Sequence, residues 1–400
     1  MSGDPTTMPE RLRSWERRQA GWGGPVYRGR ALPGPDDLVL MSNDYLALGS
    51  APDVLEAQVE SLLRHGNGLM MSGAFTADAD PQRTLEQRFA AFLRAPATLL
   101  CQSGWAANVG LVQAVAPTGS PVYVDTTAHM SLWAGIQAAD AVPRPFPHND
   151  LEYLERLVER HGPGLIAVDA LYSVTGDLCP LAQLVELAER TGCEVIADES
   201  HTLGVLGPQG AGLTVALGLA ERVAYRTVSL AKAFAGRAGL IACSRRTADF
   251  VPFHSYPAIF SSTLLPHDLA GLGAVLNRIL TADDRRERLI RQSSALRRGL
   301  TAIGYNTAPS ESWIVPLQPG TEQRISLLLH LLDGEGVFGA PFIPPSVGNN
   351  RCVHRLSVHS EVTDRELDRV LDACARIRDK AGVQDWKSTR RMENDRQGAA

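Results

Sequence analysis

The first 379 residues of this 400-residue chain hold one lysine, Lys232; Lys380 and Lys387 follow near the C-terminus. Lys232 closes Ser229-Leu230-Ala231-Lys232, behind an apolar run. A primary amine there, with a hydroxyl three residues earlier, suits the Schiff-base chemistry of pyridoxal phosphate (PLP). The amine takes the aldehyde and Ser229 bonds the phosphate. Composition gives a plainer account, since arginine outnumbers lysine 36 to 3 and lysine is scarce throughout.

A second group adds to the first. Asp198-Glu199-Ser200-His201 ends a strand-like run. A carboxylate at a buried strand end can pair with a protonated pyridine nitrogen, keeping the ring able to accept electrons from a carbanion. His201 can bond the ring's phenolic oxygen. Alone, the pair reads equally well as a turn cap and a loop histidine. With Ser229-x-x-Lys232 on the next strand end, it becomes a specific pattern.

Other residues are weaker candidates by themselves. Ser103, Gly104 and Trp105 join a strand to a helix, where free N–H groups bind phosphate; an ordinary serine N-cap looks the same. His129 follows another strand and can stack on the cofactor face opposite Lys232, or be structural. Arg355 can fork onto a substrate carboxylate, but it is one of 36 arginines. Ser261 and Ser262 form part of a hydroxyl cluster that can donate to a phosphate or serve as a polar loop.

The elements that must carry these residues alternate. Apolar runs at Ala97–Cys101, Val122–Asp125, Leu165–Asp169, Glu194–Asp198, Ala224–Leu230 and Leu240–Ser244 read as strands. Helical patterns at Gly104–Val115, Met130–Ala138 and Leu181–Arg190 lie between them. Such alternation predicts a parallel sheet covered on both faces, with ligands at the carboxyl ends of its strands. From about residue 267, long helical patterns precede short strands, predicting a smaller α+β domain. The expected division is an N-terminal segment (1–45), a large domain (46–266), a small C-terminal domain (267–385) and a fraying tail (386–400). A first helix is expected over Arg11–Gln19.

Bulk properties narrow the function. Apolar residues make up 44% and charged residues 21%, as in a soluble globular protein. A net charge of −5 without a long basic run argues against nucleic acid or a membrane surface. No secretory signal or membrane-spanning run is expected. Six scattered cysteines without metal-ligand spacing predict a reduced, cytoplasmic protein with no metal site.

In this order, the residues resemble the α-oxoamine synthases, a family of fold-type I PLP enzymes. The resemblance rests on Ser42-Asn43-Asp44-Tyr45-Leu46, Ser103 to Asn108, Ser173 with Gly176-Asp177, Asp198 to His201, the glycines 204, 207, 210 and 212, and Ser229-x-x-Lys232. It covers about residues 40 to 380. One branch is more similar: His129–Trp133, His161–Asp169, Ser229–Gly239 and Ser255–Pro266 resemble the CqsA-type autoinducer synthases of quorum sensing.

The resemblance implies a large domain with a mostly parallel seven-stranded sheet and a smaller C-terminal domain. It implies condensation of an amino acid with an acyl thioester, carried on coenzyme A or acyl carrier protein, with decarboxylation to an α-aminoketone. Lys232 would be the Schiff-base lysine, Asp198 the partner of the pyridine nitrogen, His201 of the phenolic oxygen, and His129 the stacking residue. Ser103, Gly104, Trp105 and Ser229 would hold the phosphate, with Ser173 near the cofactor. Asn43 and Arg355 would bind substrate, Arg355 through its carboxylate. The family's sites lie at a homodimer interface, so Ser261 and Ser262 would reach the neighbour's phosphate.

Two departures weigh against strict glycine specificity: Gln82 where many members have histidine before Leu85-Glu86, and Arg237 in the turn after the lysine. Three rivals remain: a primary-metabolism synthase such as one making a biotin precursor, an aminotransferase or eliminase of the same fold, and a non-catalytic PLP-fold protein.

Overall fold

The computed structural model describes residues 7–75 and 81–390. In chain order the elements are α1 (Met8–Ala20), β1 (Leu38–Leu40), α2 (Pro52–His65), α3 (Gln82–Leu93), β2 (Ala97–Cys101), α4 (Gly104–Val115), β3 (Pro121–Asp125), α5 (Met130–Ala138) and β4 (Val142–Phe146). Next come α6 (Leu151–His161), β5 (Leu165–Asp169), α7 (Leu181–Thr191), β6 (Glu194–Asp198), α8 (Leu213–Ala216), β7 (Tyr225–Ser229), β8 (Gly239–Cys243), α9 (Arg245–His254) and α10 (Tyr256–Ile259). The chain continues through α11 (Pro266–Ile279), α12 (Asp283–Ala302), β9 (Ile314–Gly320), α13 (Glu322–Gly334), β10 (Val337–Phe342), β11 (Cys352–Ser357) and α14 (Asp364–Ile377).

The larger compact unit comprises Asn43–Ser173 and Asp177–Arg288. Its sheet has seven strands in the order β2-β8-β7-β6-β5-β3-β4, and β8 alone runs antiparallel to the rest. Burial on both faces explains the unbroken apolar strands. In β5, Ile166 and Val168 join a core with Leu154 and Val158 of α6 and Leu184 of α7. Leu165 and Ala167 face the other way, toward Leu111 of α4 and Leu132 of α5. The helices α4 and α5 meet closely because Gly135 lacks a side chain; a Cβ there would lie 2.8 Å from Val112 Cβ.

Sequence pattern missed β4. Pro143 and Pro145 break the strand signal, yet β4 is the sheet edge, where a missing N–H costs no ladder bond.

The smaller unit holds the chain before Asn43, Val174–Gly176, and the described residues from Leu289 onward. Its four strands run β1-β10-β11-β9, with β1 parallel to β10 and the others antiparallel. A reciprocal box opens α14: Thr363 Oγ1 accepts the Glu366 N–H (3.2 Å) and Glu366 Oε2 accepts the Thr363 N–H (2.8 Å).

Two expected boundaries move. The large unit extends to Arg288, not to about 266, because α11 packs along α2. Arg278 pairs with Asp53 at 2.6 Å, and Arg285 donates to the Leu46 carbonyl at 2.8 Å. A helical pattern alone does not say which unit a helix packs against. The tail is also ordered further than expected. Trp386 is buried, donating its indole N–H to the Ala381 carbonyl at 3.1 Å and lying edge-on to Tyr305. Residues 391–400 of the expected fraying tail lie outside the described residues.

Candidate active site

The carboxyl ends of β2, β3, β5, β6 and β7 bring one set of side chains around a single cleft. Its walls include Gly104, Trp105, Asn108, His129, Asp169, Asp198, Ser200, His201, Ser229 and Lys232, all within the larger unit. Most stand at the end of an apolar strand or in the loop that follows it, while Gly104, Trp105 and Asn108 lie in the opening turns of α4, so the core fixes the frame and the strand ends offer the chemistry.

Asp198 is almost fully buried. Its Oδ1 accepts the Ser200 N–H (2.9 Å) and its Oδ2 accepts the Asn108 amide (2.6 Å). Ser200 in turn receives the Ser229 N–H on its Oγ (2.7 Å), tying the ends of β6 and β7 together. His201 shares a 2.6 Å hydrogen bond through Nδ1 with the Tyr45 hydroxyl, which lies 3.2 Å from Asn43 Oδ1. His129 Nδ1 lies 2.7 Å from Ser131 Oγ, and its backbone N–H donates to Asp169 Oδ1 (3.0 Å). Its ring sits edge-on to the half-exposed Trp105 at 6.1 Å and 77°.

Burial is the largest influence on His129; against the opposing Asp198 charge and with the Lys232 charge it pulls the imidazole below the usual histidine range, which favours the neutral ring. Burial and the Asp198 charge push Asp169 well above the carboxylate range.

These residues fit PLP on grounds internal to the structure. The cleft offers a half-buried amine and, beside it, a carboxylate that accepts two donors. Gly104 provides a cradle: a Cβ on it would lie 2.4 Å from Ser229 Cβ. The bare glycine therefore lets the first turn of α4 meet the end of β7. The N–H groups of Gly104 and Trp105 and the Ser229 hydroxyl form a donor set suited to a phosphate. Ser103 Oγ accepts the Ala106 N–H (3.1 Å) as the N-cap of α4, which leaves its own proton for a ligand. Among the described residues no acidic or Cys/His cluster suited to a metal occurs.

Not every candidate joins this cleft. Ser173 lies just beyond Leu171, in the turn between β5 and α7. Ser261 Oγ donates to the Pro257 carbonyl, and the Ser262 carbonyl accepts the Gln102 amide at 3.0 Å; neither serine lines the cleft. Arg355 lies on β11 of the smaller unit, buried, with its guanidinium 4.8 Å from the Phe342 ring centre. Asn43 meets the site through Tyr45. Conversely, Asn108, Tyr45 and Asp169 have places at the site that sequence reasoning did not assign. Asp169 carried a signal, an acid closing the apolar strand Leu165–Asp169 as Asp198 closes β6.

Fold and site together define a fold-type I PLP-dependent transferase. The aminotransferase class I and II family model matches residues 35–374, and the chain belongs to that family. Within it the chain is a PLP-dependent acyltransferase of the α-oxoamine synthase group. It is 42% identical over 337 residues to the CAI-1 autoinducer synthase of Vibrio campbellii, covering 84% of this chain and 86% of that one. It is 32% identical over 356 residues to the 8-amino-7-oxononanoate synthase of Geobacter metallireducens, covering 88% and 91%. A serine palmitoyltransferase from S. paucimobilis, solved with PLP and myriocin, superposes with a TM-score of 0.87 at 25% identity, covering 94% and 98%.

Proposed function

We propose that this enzyme joins an amino acid to a fatty acyl thioester to make an α-aminoketone for signalling or secondary metabolism, and not a biotin precursor. The observation that carries this reading is the 42% identity to an autoinducer synthase, against 32% to the 8-amino-7-oxononanoate synthase. In the overall reaction a carbon–carbon bond forms between the amino acid's α-carbon and the acyl carbonyl carbon. The thiol leaves, and the amino acid's carboxylate departs as CO₂.

Lys232 would hold the cofactor aldehyde, Asp198 would face its pyridine nitrogen, and His201, oriented by Tyr45, its phenolic oxygen. His129 would lie on the ring face, and Ser103, Gly104, Trp105 and Ser229 would take the phosphate, with Ser173 close by. Bound there, PLP supplies the electron sink that stabilises a carbanion at the α-carbon. The chain's own task is proton handling. The Lys232 amine accepts the α-proton and later returns a proton to the product carbon, which requires it to be neutral when it acts. A neutral His129 places no competing cation in the cleft, and burial excludes water that would quench the carbanion.

Arg355 and Asn43 are proposed to bind the amino-acid substrate. A homodimer is proposed in which Ser261 and Ser262 complete the neighbour's phosphate site. Exposed apolar side chains support this: Met70, Phe75, Phe253 and Phe260 are each at least 74% exposed, and large apolar groups left in water favour burial against a partner. Among the described residues no helix is long and apolar enough to cross a membrane. A cytoplasmic location is proposed on the unbridged cysteines.

The test is mass spectrometry of products from a panel of amino acids and acyl thioesters. Long-chain α-aminoketone formed only with both substrates supports the reading. Preference for a pimeloyl thioester would favour the biotin-precursor route, and turnover without any thioester would favour an aminotransferase.

A further inference from the structure

Beneath the cleft runs a continuous chain of hydrogen bonds that joins two residues otherwise far apart in sequence. Asn108, on α4, sits at its centre and is 2% exposed. Its Nδ2 has two hydrogens and two acceptors within reach: Asp198 Oδ2 at 2.6 Å and Ser131 Oγ at 2.8 Å. Its Oδ1 accepts the Thr227 hydroxyl at 2.5 Å. A carboxylate and a hydroxyl around one end, and a donating hydroxyl at the other, fix which end of the amide is nitrogen.

That assignment propagates. Ser131 Oγ already receives the Asn108 N–H, so its own single hydrogen can go onward to His129 Nδ1, 2.7 Å away. The Ser131 backbone N–H points at the same Nδ1, at 3.4 Å. A neutral imidazole nitrogen facing two donors must be the bare acceptor, and the ring's proton then resides on Nε2. The charged groups around this ring are Asp169 at the end of β5, Asp198 at the end of β6 and Lys232 beyond β7.

We propose that Asn108 and Ser131 are positioning residues that lock His129 as its Nε2–H tautomer and couple its orientation to Asp198. Asn108 borders the cleft, but its amide is engaged by Asp198, Ser131 and Thr227, and Ser131 is fully buried, so the pair acts through its neighbours. It acts by fixing the ring plane and by presenting an N–H donor from the ring's outer edge. The proposal rests on the reading that His129 and Asp198 serve the reaction.

The test is nitrogen-15 NMR of the histidine-labelled holoenzyme, which reports protonation at each ring nitrogen without turnover. The His129 signal is identified by its loss in His129→Gln. The expected result is a bare Nδ1 and a protonated Nε2 in the wild type, a mixture of tautomers in Ser131→Ala, and recovery in Ser131→Thr, which keeps the hydroxyl. Ser131→Ala should lower kcat on the order of tenfold, with the amino-acid KM changed less than about twofold. Ser131→Thr should restore kcat. Asn108→Ala should loosen the tautomer in the same way. A protonated Nδ1 in the wild type, or unchanged tautomer and kcat in Ser131→Ala, would overturn the proposal. Full activity in His129→Gln would instead overturn the reading of the site, leaving the NMR result to judge the hydrogen-bond chain by itself.

Discussion

Lys232 stands at a strand end beside a buried acid and a neutral histidine, and its chemistry can be tested without any assay of turnover. Borohydride treatment of the wild type should fix one phosphopyridoxyl group to the chain, read as an added mass. Lys232→Ala should show no added mass and lose activity on the order of 10³-fold or more. A modified mass in that variant would place the covalent bond elsewhere. At this scale the sequence was most readable where a polar residue closes an apolar strand, as Asp198 does, or follows one within a few residues, as His129 and Lys232 do. Asn108 was invisible in that sense. Its meaning comes from Asp198, Ser131 and Thr227, residues brought to it only by the packing of α4 across the sheet. Tyr45 is similar, since nothing near it in the chain announces His201.

Elements meet at this site through missing atoms as much as present ones. Gly104→Ala would drive a methyl group into Ser229, at 2.4 Å from its Cβ and 2.7 Å from its Cα. Backbone cannot yield as a flexible side chain does, so α4 must move off the end of β7. The PLP dissociation constant should then rise on the order of tenfold, about 1.4 kcal/mol, by fluorescence titration. Unchanged affinity would show that the α4 turn does not hold the phosphate.

A second junction, among the loops after β3, β4 and β5, is electrostatic. His148 bridges Asp125 (3.1 Å) and Asp177 (2.7 Å), and Tyr172 donates to Asp125 at 2.9 Å. Burial opposes the imidazolium, but hydrogen bonds and charge from the two acids win and raise His148 from 6.5 to about 9. A raised value means stability that is complete below about pH 6.5 and lost as pH climbs through about 9. On the order of 2 kcal/mol is at stake. Thermal melts should fall across that window for the wild type. His148→Gln should melt lower at neutral pH and follow a flatter curve; an equally steep curve would assign the loss to other groups. None of this was legible beforehand, because His148 follows an edge strand disguised by prolines.

For the whole molecule, alternating strands and helices announced a parallel sheet, the family resemblance its seven strands, and the change of pattern from about residue 267 a second unit. The boundary failed because α11 and the start of α12 are bound to residues 46–58 by contacts that no local pattern encodes. Assembly is the remaining question at this scale. Phe253→Asp combined with Phe260→Asp should convert a sedimenting dimer into monomer, while the far-ultraviolet circular dichroism stays native. A wild type that sediments as monomer, or a double variant that stays dimeric, would remove this surface from the interface.

The one reversed strand has a consequence for motion. Because β8 returns directly alongside β7, Lys232 hangs on a hairpin, held by backbone bonds from Leu230 to Ala238 and from Gly236 to Leu230, at 2.9 and 3.0 Å. The other residues of the cleft are continuous with helices or long loops packed over the sheet. A group that must swing between two partners is thus given a short tether of its own. The swing falls to the lysine's own side chain, because the turn that carries it is anchored by Phe234 against Phe89 and Phe92 of α3.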